Sequence, residues 1–440
     1  MDMGTGKTLT AIALAGILYQ CEKIETVLVV APLSLLGVWD TEFNKFADFP
    51  VSVTVLSGSK ERKLSLLKCR VSCKLNVVVV NYESARVLKK DLLRYHADLV
   101  IADEGHKIKD GQTAQAKTLH ELGDAAKYKL LLTGTLITNK EIDVWSQYRF
   151  VAPEVFNPIR INRKNLFVLF RNRYFYMTGY GHHTPVIKKS MLPEFLQKLH
   201  SVAYRVTKDE ALDLPETTEE TRYVDLEPEA QKLYDTLAEE SCVEMSSGEI
   251  TAANILTKIL RLSQLTGGHI KDDEGKMSVV SKAKMNALDD IIDSVMADGR
   301  KLVIMARFIP EIEAIEELLK AKKITFAEVR GGVKDRLGEV NRFQESPDCR
   351  VFIGQIAAAG VGLTLTAAQT MTFFSMDYSM DKFYQAKARI HRIGQRNACH
   401  YIYLVARNTI DMNVLKSLRG KIDLAAALVD GYRAGRNPFK

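Results

Sequence analysis

The residues best suited to chemistry come almost first: Met3 to Thr8 read MGTGKT. Gly4 and Gly6, with Thr5 between them, let backbone N–H groups close on phosphate oxygens. Lys7 is spaced to reach the β- and γ-phosphates of a nucleotide, and the Thr8 hydroxyl to reach Mg²⁺. The apolar stretch LTAIALAGILY that follows predicts a helix whose N-terminus faces the anion.

A second group is LVIADEGH, Leu99 to His106. A strand ending in two carboxylates places them at the C-terminal edge of a parallel sheet, where ligands bind in open α/β folds. Asp103 is then suited to hold Mg²⁺ through water beside Thr8, and Glu104 to orient and deprotonate an attacking water. An acidic loop after a strand says little by itself; its meaning comes from the upstream GTGKT. In LLTGTLITN, Leu131 to Asn139, the residues Thr133, Gly134 and Thr135 offer hydroxyls and a pliable backbone beside the metal, although a plain strand-to-loop passage also accounts for them.

Near the other end, QAKARIHRIGQ spans Gln385 to Gln395. If this stretch is helical, Arg389 and Arg392 share a face. Together they can reach a triphosphate and stabilise charge on a transferred γ-phosphoryl group, an effect worth roughly 10³–10⁵ in rate. A solvated basic helix end is the alternative; Gln385 and Gln395 flank the pair with no acid between them. AAAGVGLTLTAA, Ala357 to Ala368, is a loop of small residues in which Gly360 and Gly362 permit close approach of another surface.

These groups need two scaffolds. Short Val/Ile/Leu runs start at Thr26, Val51, Leu75, Leu99 and Tyr128, and again at Lys301, Thr325, Arg350, Thr370 and His400. Separated by helix-length stretches, they predict two parallel sheets covered on both faces. PEIEAIEELLKAKK predicts an amphipathic helix after the first strand of the second block. The pattern between is mostly helical, with DLPETTEET (from Asp213) and KDDEGK (from Lys271) read as hinges or loops. The expected division is 1–150, an α/β core; 151–276, a basic helical insertion and connector; and 277–440, a second α/β core.

A chain of 440 residues exceeds one ordinary core, in keeping with this division. The six cysteines form no metal-binding cluster and read as reduced thiols. No apolar run approaches membrane-spanning length. Net charge is +7, yet Arg160 to Arg205 alone holds nine Lys/Arg against Glu194, so the remainder is near neutral. Basic residues interleaved with aromatics, as in FRNRYFYMTGYGHH, suit a nucleic-acid backbone, with Arg171, Arg173, Lys188 and Lys189 as candidate contacts. A solvated basic face on a helical insertion is the other reading.

Taken together, these blocks resemble the Swi/Snf family of helicase-like ATPases, within helicase superfamily two, over nearly the whole chain. APLSLLGVWDTEF (Ala31 to Phe43), VVVVNYESA (Val77 to Ala85) and YRVTKDEALDLPETTEETRYVDLEPEAQKLYD (Tyr204 to Asp235) resemble further family segments, and HRIGQ (His391 to Gln395) is the most specific of all. The resemblance implies two RecA-like lobes with ATP between them and a motor that tracks along double-stranded DNA. It gives Lys7 and Thr8 the phosphate and Mg²⁺ contacts, Asp103 and Glu104 the metal and catalytic acids, and Arg389 and Arg392 the second-lobe arginines. Gly4, Thr5, Gly6 and Gln385 are expected at the nucleotide. His106, Thr133, Gly134, Thr135, Gly360 and Gly362 are expected to couple the sites.

The expected partners are duplex DNA and a DNA-bound protein or larger assembly, with no membrane. The expected location is intracellular: cytoplasmic in a bacterium or virus, towards which the compact insertions lean, and nuclear in a eukaryote. Two other readings stand beside the duplex motor: a strand-separating helicase or RNA-dependent ATPase of the same superfamily, and an inactive fragment that only binds DNA or protein. A P-loop kinase would have no need of the paired arginines. Gly105 stands where the family has alanine, an expected conservative change; Val206, Thr364 and Ala388 are further departures. The family also carries a strand and a glutamine motif ahead of the phosphate loop. Only Met1 and Asp2 precede it here, so the natural frame is expected to continue upstream, and residues 1–440 alone to bind ATP weakly with a partly disordered first lobe.

Overall fold

The computed structural model describes residues 1–134, 136–137, 140–157, 166–178, 184–246, 252–271, 277–333, 335–359 and 363–420. Two compact units contain Met1–Leu212 and Asp213–Ile422. Both are α/β units built on parallel sheets.

The first unit opens with the helix Lys7–Gln20 and holds five parallel strands: β1 (Thr26–Ala31), β2 (Val51–Val55), β3 (Leu75–Asn81), β4 (Leu99–Asp103) and β5 (Tyr128–Leu132), in the order β2-β3-β1-β4-β5. Strand β1 shows why the run TVLVVA is continuously apolar. Val27 and Val29 pack with Ala11, Ile12, Ala15, Trp39 and Phe43 on one face, while Leu28 and Val30 pack with Val78, Val80 and Leu119 on the other. Side chains alternate along a strand, so burial of both faces requires an unbroken apolar run. Strand β5 is one of the two sheet edges, and its Tyr128 to Leu131 are only half-buried.

Within the same unit, β6 (Phe175–Thr178) and β7 (Thr184–Ile187) form an antiparallel hairpin where helix was expected. Its inward residues Phe175 and Ile187 join Phe156, Phe170, Tyr174, Phe195 and Leu199 in a separate core. The Phe156 ring lies 5.0–5.8 Å from those of Tyr148, Phe170, Tyr174 and Phe195. Most aromatics of FRNRYFYM are therefore this core; Tyr176 is the exposed one, at 60%.

The second unit contains β8 (Thr217–Val224), the hairpin β9 (His269–Lys271) with β10 (Met277–Val279), β11 (Leu302–Ala306), β12 (Thr325–Val329), β13 (Cys349–Gln355), β14 (Thr370–Phe373) and β15 (Cys399–Ala406). Its sheet runs β12-β13-β11-β14-β15-β8. The TTEET stretch, expected as loop, is strand: β8 pairs with β15 over eight residues, from Thr217 with Cys399 to Val224 with Ala406. As an edge strand with one neighbour it keeps polar side chains in water, which is why its sequence reads as a turn-rich hinge. Residues 272–276 of KDDEGK lie outside the described residues. The block expected over 151–276 is thus shared between the units, dividing at Leu212–Asp213. Among the described residues no helix is long and apolar enough to cross a membrane.

Candidate active site

In the first unit, Gly4 and Gly6 both take φ of 87°, a left-handed conformation that costs glycine nothing and most residues strain. No atom lies within 4 Å of a Cβ built on Gly6, so there the conformation, and not the space, calls for glycine. Gly6 precedes the helix Lys7–Gln20, whose first turn has neither a side-chain cap nor an acidic residue. An N-terminus without a side-chain cap, together with the helix dipole, suits an anion. Lys7 Nζ folds back to donate to the carbonyls of Asp2 (2.9 Å) and Met1 (3.3 Å). The loop also packs on the segment after β5: a Cβ on Gly134 would lie 2.9 Å from Met3 Cγ and 3.7 Å from Lys7 Nζ. Gly134 is thereby placed against the loop, while Thr135 lies outside the described residues.

Asp103 ends β4 and is 6% exposed. Its Oδ2 accepts the Trp39 indole N–H at 2.9 Å, its Oδ1 the Glu104 backbone N–H at 2.9 Å, and its carbonyl the Tyr82 hydroxyl at 2.7 Å. Burial pushes the carboxyl up to about 6, helped by the charge of Glu104 and opposed by the two N–H donors and Lys7. Residue type alone assigns Trp39 and Tyr82 no role at the site; they lie in APLSLLGVWDTEF and VVVVNYESA, whose family resemblance is the only signal for them in the sequence.

Glu104 adopts φ 52°, ψ 56°, an uncommon conformation for a non-glycine residue and one that concentrates at functional sites. Its Oε2 stands 3.4 Å from His106 Nδ1. The next residue is not freely replaceable. A Cβ on Gly105 would lie 2.3 Å from Leu131 Cδ2 and 2.5 Å from its Cγ, so the change from alanine is not conservative in this packing. The fully buried Gln147, which the sequence did not single out, donates to the Leu136 carbonyl at 2.8 Å and steadies the chain beyond Gly134.

The arginines belong to the second unit and do not share a helix face. The helix Met380–Lys387 ends before them, with Ala388 as its cap, and both lie in the turn that follows. They still converge: Arg389 Nη1 and Arg392 Nη1 donate to the Leu363 carbonyl at 3.2 and 3.1 Å, and Arg389 Nε donates to the Gln385 carbonyl at 2.9 Å. Gln395 holds the turn, its amide donating to the carbonyls of Thr366, Ala368 and Ile390 and accepting from the N–H groups of Arg396 and Asn397. The Gln385 side chain is buried. Gly360 and Gly362 lie outside the described residues.

Of the basic candidates, Arg173 pairs with Glu194 at 2.8 Å. Lys188 Nζ donates to the Asn172 carbonyl at 2.6 Å and sits 5.0 Å from the Tyr176 ring centroid. Arg171 Nε donates to Asn172 Oδ1 at 3.3 Å, and Lys189 is exposed. Arg160, Arg163 and Lys164 lie outside the described residues.

Comparison with known proteins gives two family matches, the SNF2-related domain over residues 1–267 and the helicase conserved C-terminal domain over 283–394. The first passes the boundary between compact units because β8 and the helices Pro228–Ser246 and Ala252–Thr266 belong to the second. An uncharacterized ATP-dependent helicase of Mycoplasma genitalium is 28% identical over 428 residues, covering 96% of this chain and 39% of that protein. Nuclear protein STH1/NPS1 of Saccharomyces cerevisiae is 26% identical over 457 residues, covering 97% of this chain and 33% of the relative. The chain therefore spans about a third to two-fifths of the length of these relatives. Among solved structures, the Sulfolobus solfataricus SWI2/SNF2 ATPase core in complex with dsDNA is 25% identical, covers all of this chain and 88% of that one, and has a TM-score of 0.43.

Proposed function

Because the chain belongs to the SNF2-related domain family, with a helicase C-terminal domain following, we propose that it is an ATP-hydrolysing motor stimulated by double-stranded DNA, moving along it and displacing or remodelling bound protein. The observation that carries the hydrolytic part is the geometry at the end of β4. A buried Asp103 is oriented by Trp39, a backbone-strained Glu104 follows it, and a glycine-turned loop with Lys7 belongs to the same unit.

Gly4, Thr5 and Gly6 cradle the phosphates, and Lys7 leaves its backbone carbonyls for the β- and γ-oxygens. Mg²⁺ suits the donor set: the Asp103 carboxyl is raised to about 6 by burial, and a divalent cation relieves that cost. Thr8 and Asp103 would hold it, and when bound it would supply positive charge that offsets the charge of the phosphates. Glu104 orients the attacking water and takes its proton. Arg389 and Arg392 stabilise charge on the transferring group, with Gln385 beside them. Arg171, Arg173, Lys188 and Lys189 contact DNA phosphates. His106, Thr133, Gly134, Thr135, Gly360 and Gly362 link nucleotide and DNA.

Glu104→Gln is expected to keep nucleotide binding and lose turnover; hydrolysis at the wild-type rate would remove Glu104 from its role. Duplex DNA is expected to raise turnover, with stimulation fading as salt rises. Triplex displacement without fork unwinding supports the duplex motor. Unwinding without triplex displacement supports the strand-separating alternative.

A further inference from the structure

The turn bearing the two arginines has a second attachment. His391 Nε2 lies 2.9 Å from the carbonyl oxygen of Pro215, 176 residues away in sequence. A carbonyl only accepts, so Nε2 carries the proton and donates. Pro215 stands just inside the second unit, which starts at Asp213. It is fixed there: Cys399 N–H donates to the next carbonyl, Glu216, at 2.9 Å, and β8 begins at Thr217. Lys387, on the last turn of the helix before the arginines, adds an ion pair to Glu219 of β8, and the Tyr401 hydroxyl donates to the Lys387 carbonyl at 2.9 Å.

The same stretch of chain is pinned at its upstream end within the first unit. The Asp2 carboxylate accepts from Arg205 Nη1 at 3.3 Å and from the Lys208 N–H at 3.2 Å, and Asp2 N–H donates to the Val206 carbonyl at 2.8 Å. Asp2 also offers its carbonyl to Lys7 Nζ and to the Thr5 hydroxyl. Between the pins the chain forms one helical turn, Lys208–Ala211, closed by a reciprocal capping box between Thr207 and Glu210. Within the first unit Asp2 holds residues 205–208, and within the second unit His391 holds Pro215.

We propose that His391 is a positioning residue, whose hydrogen bond to Pro215 sets the arginine turn against the connecting segment so that Arg389 and Arg392 are held ready for nucleotide turnover. His391 needs no contact with substrate for this. It supplies one donor to a backbone carbonyl, and a glutamine amide can supply the same donor. The proposal rests on the ATPase reading above, so one arm of its test reads the turn directly and the other reads catalysis.

In the full 440-residue chain, His391→Ala and His391→Gln are compared with wild type by amide hydrogen exchange over residues 388–395, and by kcat and KM for ATP with saturating duplex DNA. Loss of one hydrogen bond predicts roughly tenfold faster exchange in the alanine variant. The catalytic arm predicts kcat down roughly tenfold or more with KM within about twofold, the signature of an interaction expressed in the transition state. The glutamine variant is expected to match wild type within about threefold in both readouts. Unchanged exchange in the alanine variant, a glutamine variant no better than alanine, or loss of the folded state in the alanine variant each overturns the proposal, as does altered exchange with unchanged kcat. A wild-type chain that binds ATP in the presence of duplex DNA and hydrolyses none overturns the ATPase reading, and the exchange arm still decides whether His391 sets the turn.

Discussion

The Trp39 indole N–H and Asp103 Oδ2 meet at 2.9 Å across 64 residues of sequence, both side chains buried. This bond favours the charged carboxylate against the burial that raises its pKa to about 6. Trp39→Phe keeps most of the bulk and removes the donor, so the pKa rises further. A hydrogen bond to a charged group is worth about 1.5–3 kcal/mol, which would move the acidic limb of the turnover profile upward by about one to two pH units. ATPase rates of wild type and Trp39→Phe between about pH 5.5 and 8.5 check this. An unmoved limb would detach Trp39 from the chemistry.

Gly105 and Leu131 give a packing test. Gly105→Ala drives a methyl into Leu131, at 2.3 Å from Cδ2 and 2.5 Å from Cγ. Overpacking of this kind costs roughly 1–3 kcal/mol, visible as a lower thermal midpoint. Leu131→Val in the same chain is expected to return part of that loss. Additive effects of the two substitutions would mean that they do not share this space.

Arg389 and Arg392 should separate in stability while agreeing in catalysis. Arg389 is buried and serves two carbonyls in the resolved contacts, whereas Arg392 is half-exposed. Alanine at either position is expected to lower kcat by roughly 10³ with little change in ATP affinity. Only Arg389→Ala is expected also to lower the thermal midpoint, because it removes a buried side chain and the donor to the Gln385 carbonyl, whereas the Leu363 carbonyl keeps Arg392. A pure loss of affinity with unchanged kcat would assign both to ordinary binding.

Glu311 predicts a pH-dependent stability. It is fully buried, and burial raises its carboxyl to about 7, against the Ser375 hydroxyl, the Phe308 N–H, Lys284 and the Arg307 N–H. A carboxyl raised in the folded state adds stability below its unfolded value and loses it as pH rises through the folded value. Thermal midpoints should therefore fall from about pH 5 to 8, across the folded value of about 7. Glu311→Gln is expected to flatten that fall; an equal fall in both proteins would place its origin elsewhere.

The central strands were legible in the sequence because a parallel strand buried on both faces must be an unbroken apolar run, and TVLVVA and LNVVVV can be little else. The phosphate loop was legible because its glycines and lysine are contiguous in the chain. Edge strand β8 was not, since its polar residues become strand only when β15 supplies the hydrogen-bonding partner. Sequence could not separate the aromatics that fill the Phe156 core from the exposed Tyr176, because burial depends on helices and strands distant in the chain. Spacing suggested a helical face for Arg389 and Arg392; the structure brings them together after the helix has ended, on the single carbonyl of Leu363. Residue types and local spacing determined which groups can do the chemistry. Tertiary structure decided how they are held, because the indole on Asp103 and the carbonyls under the arginine turn come from chain segments that only folding brings into contact.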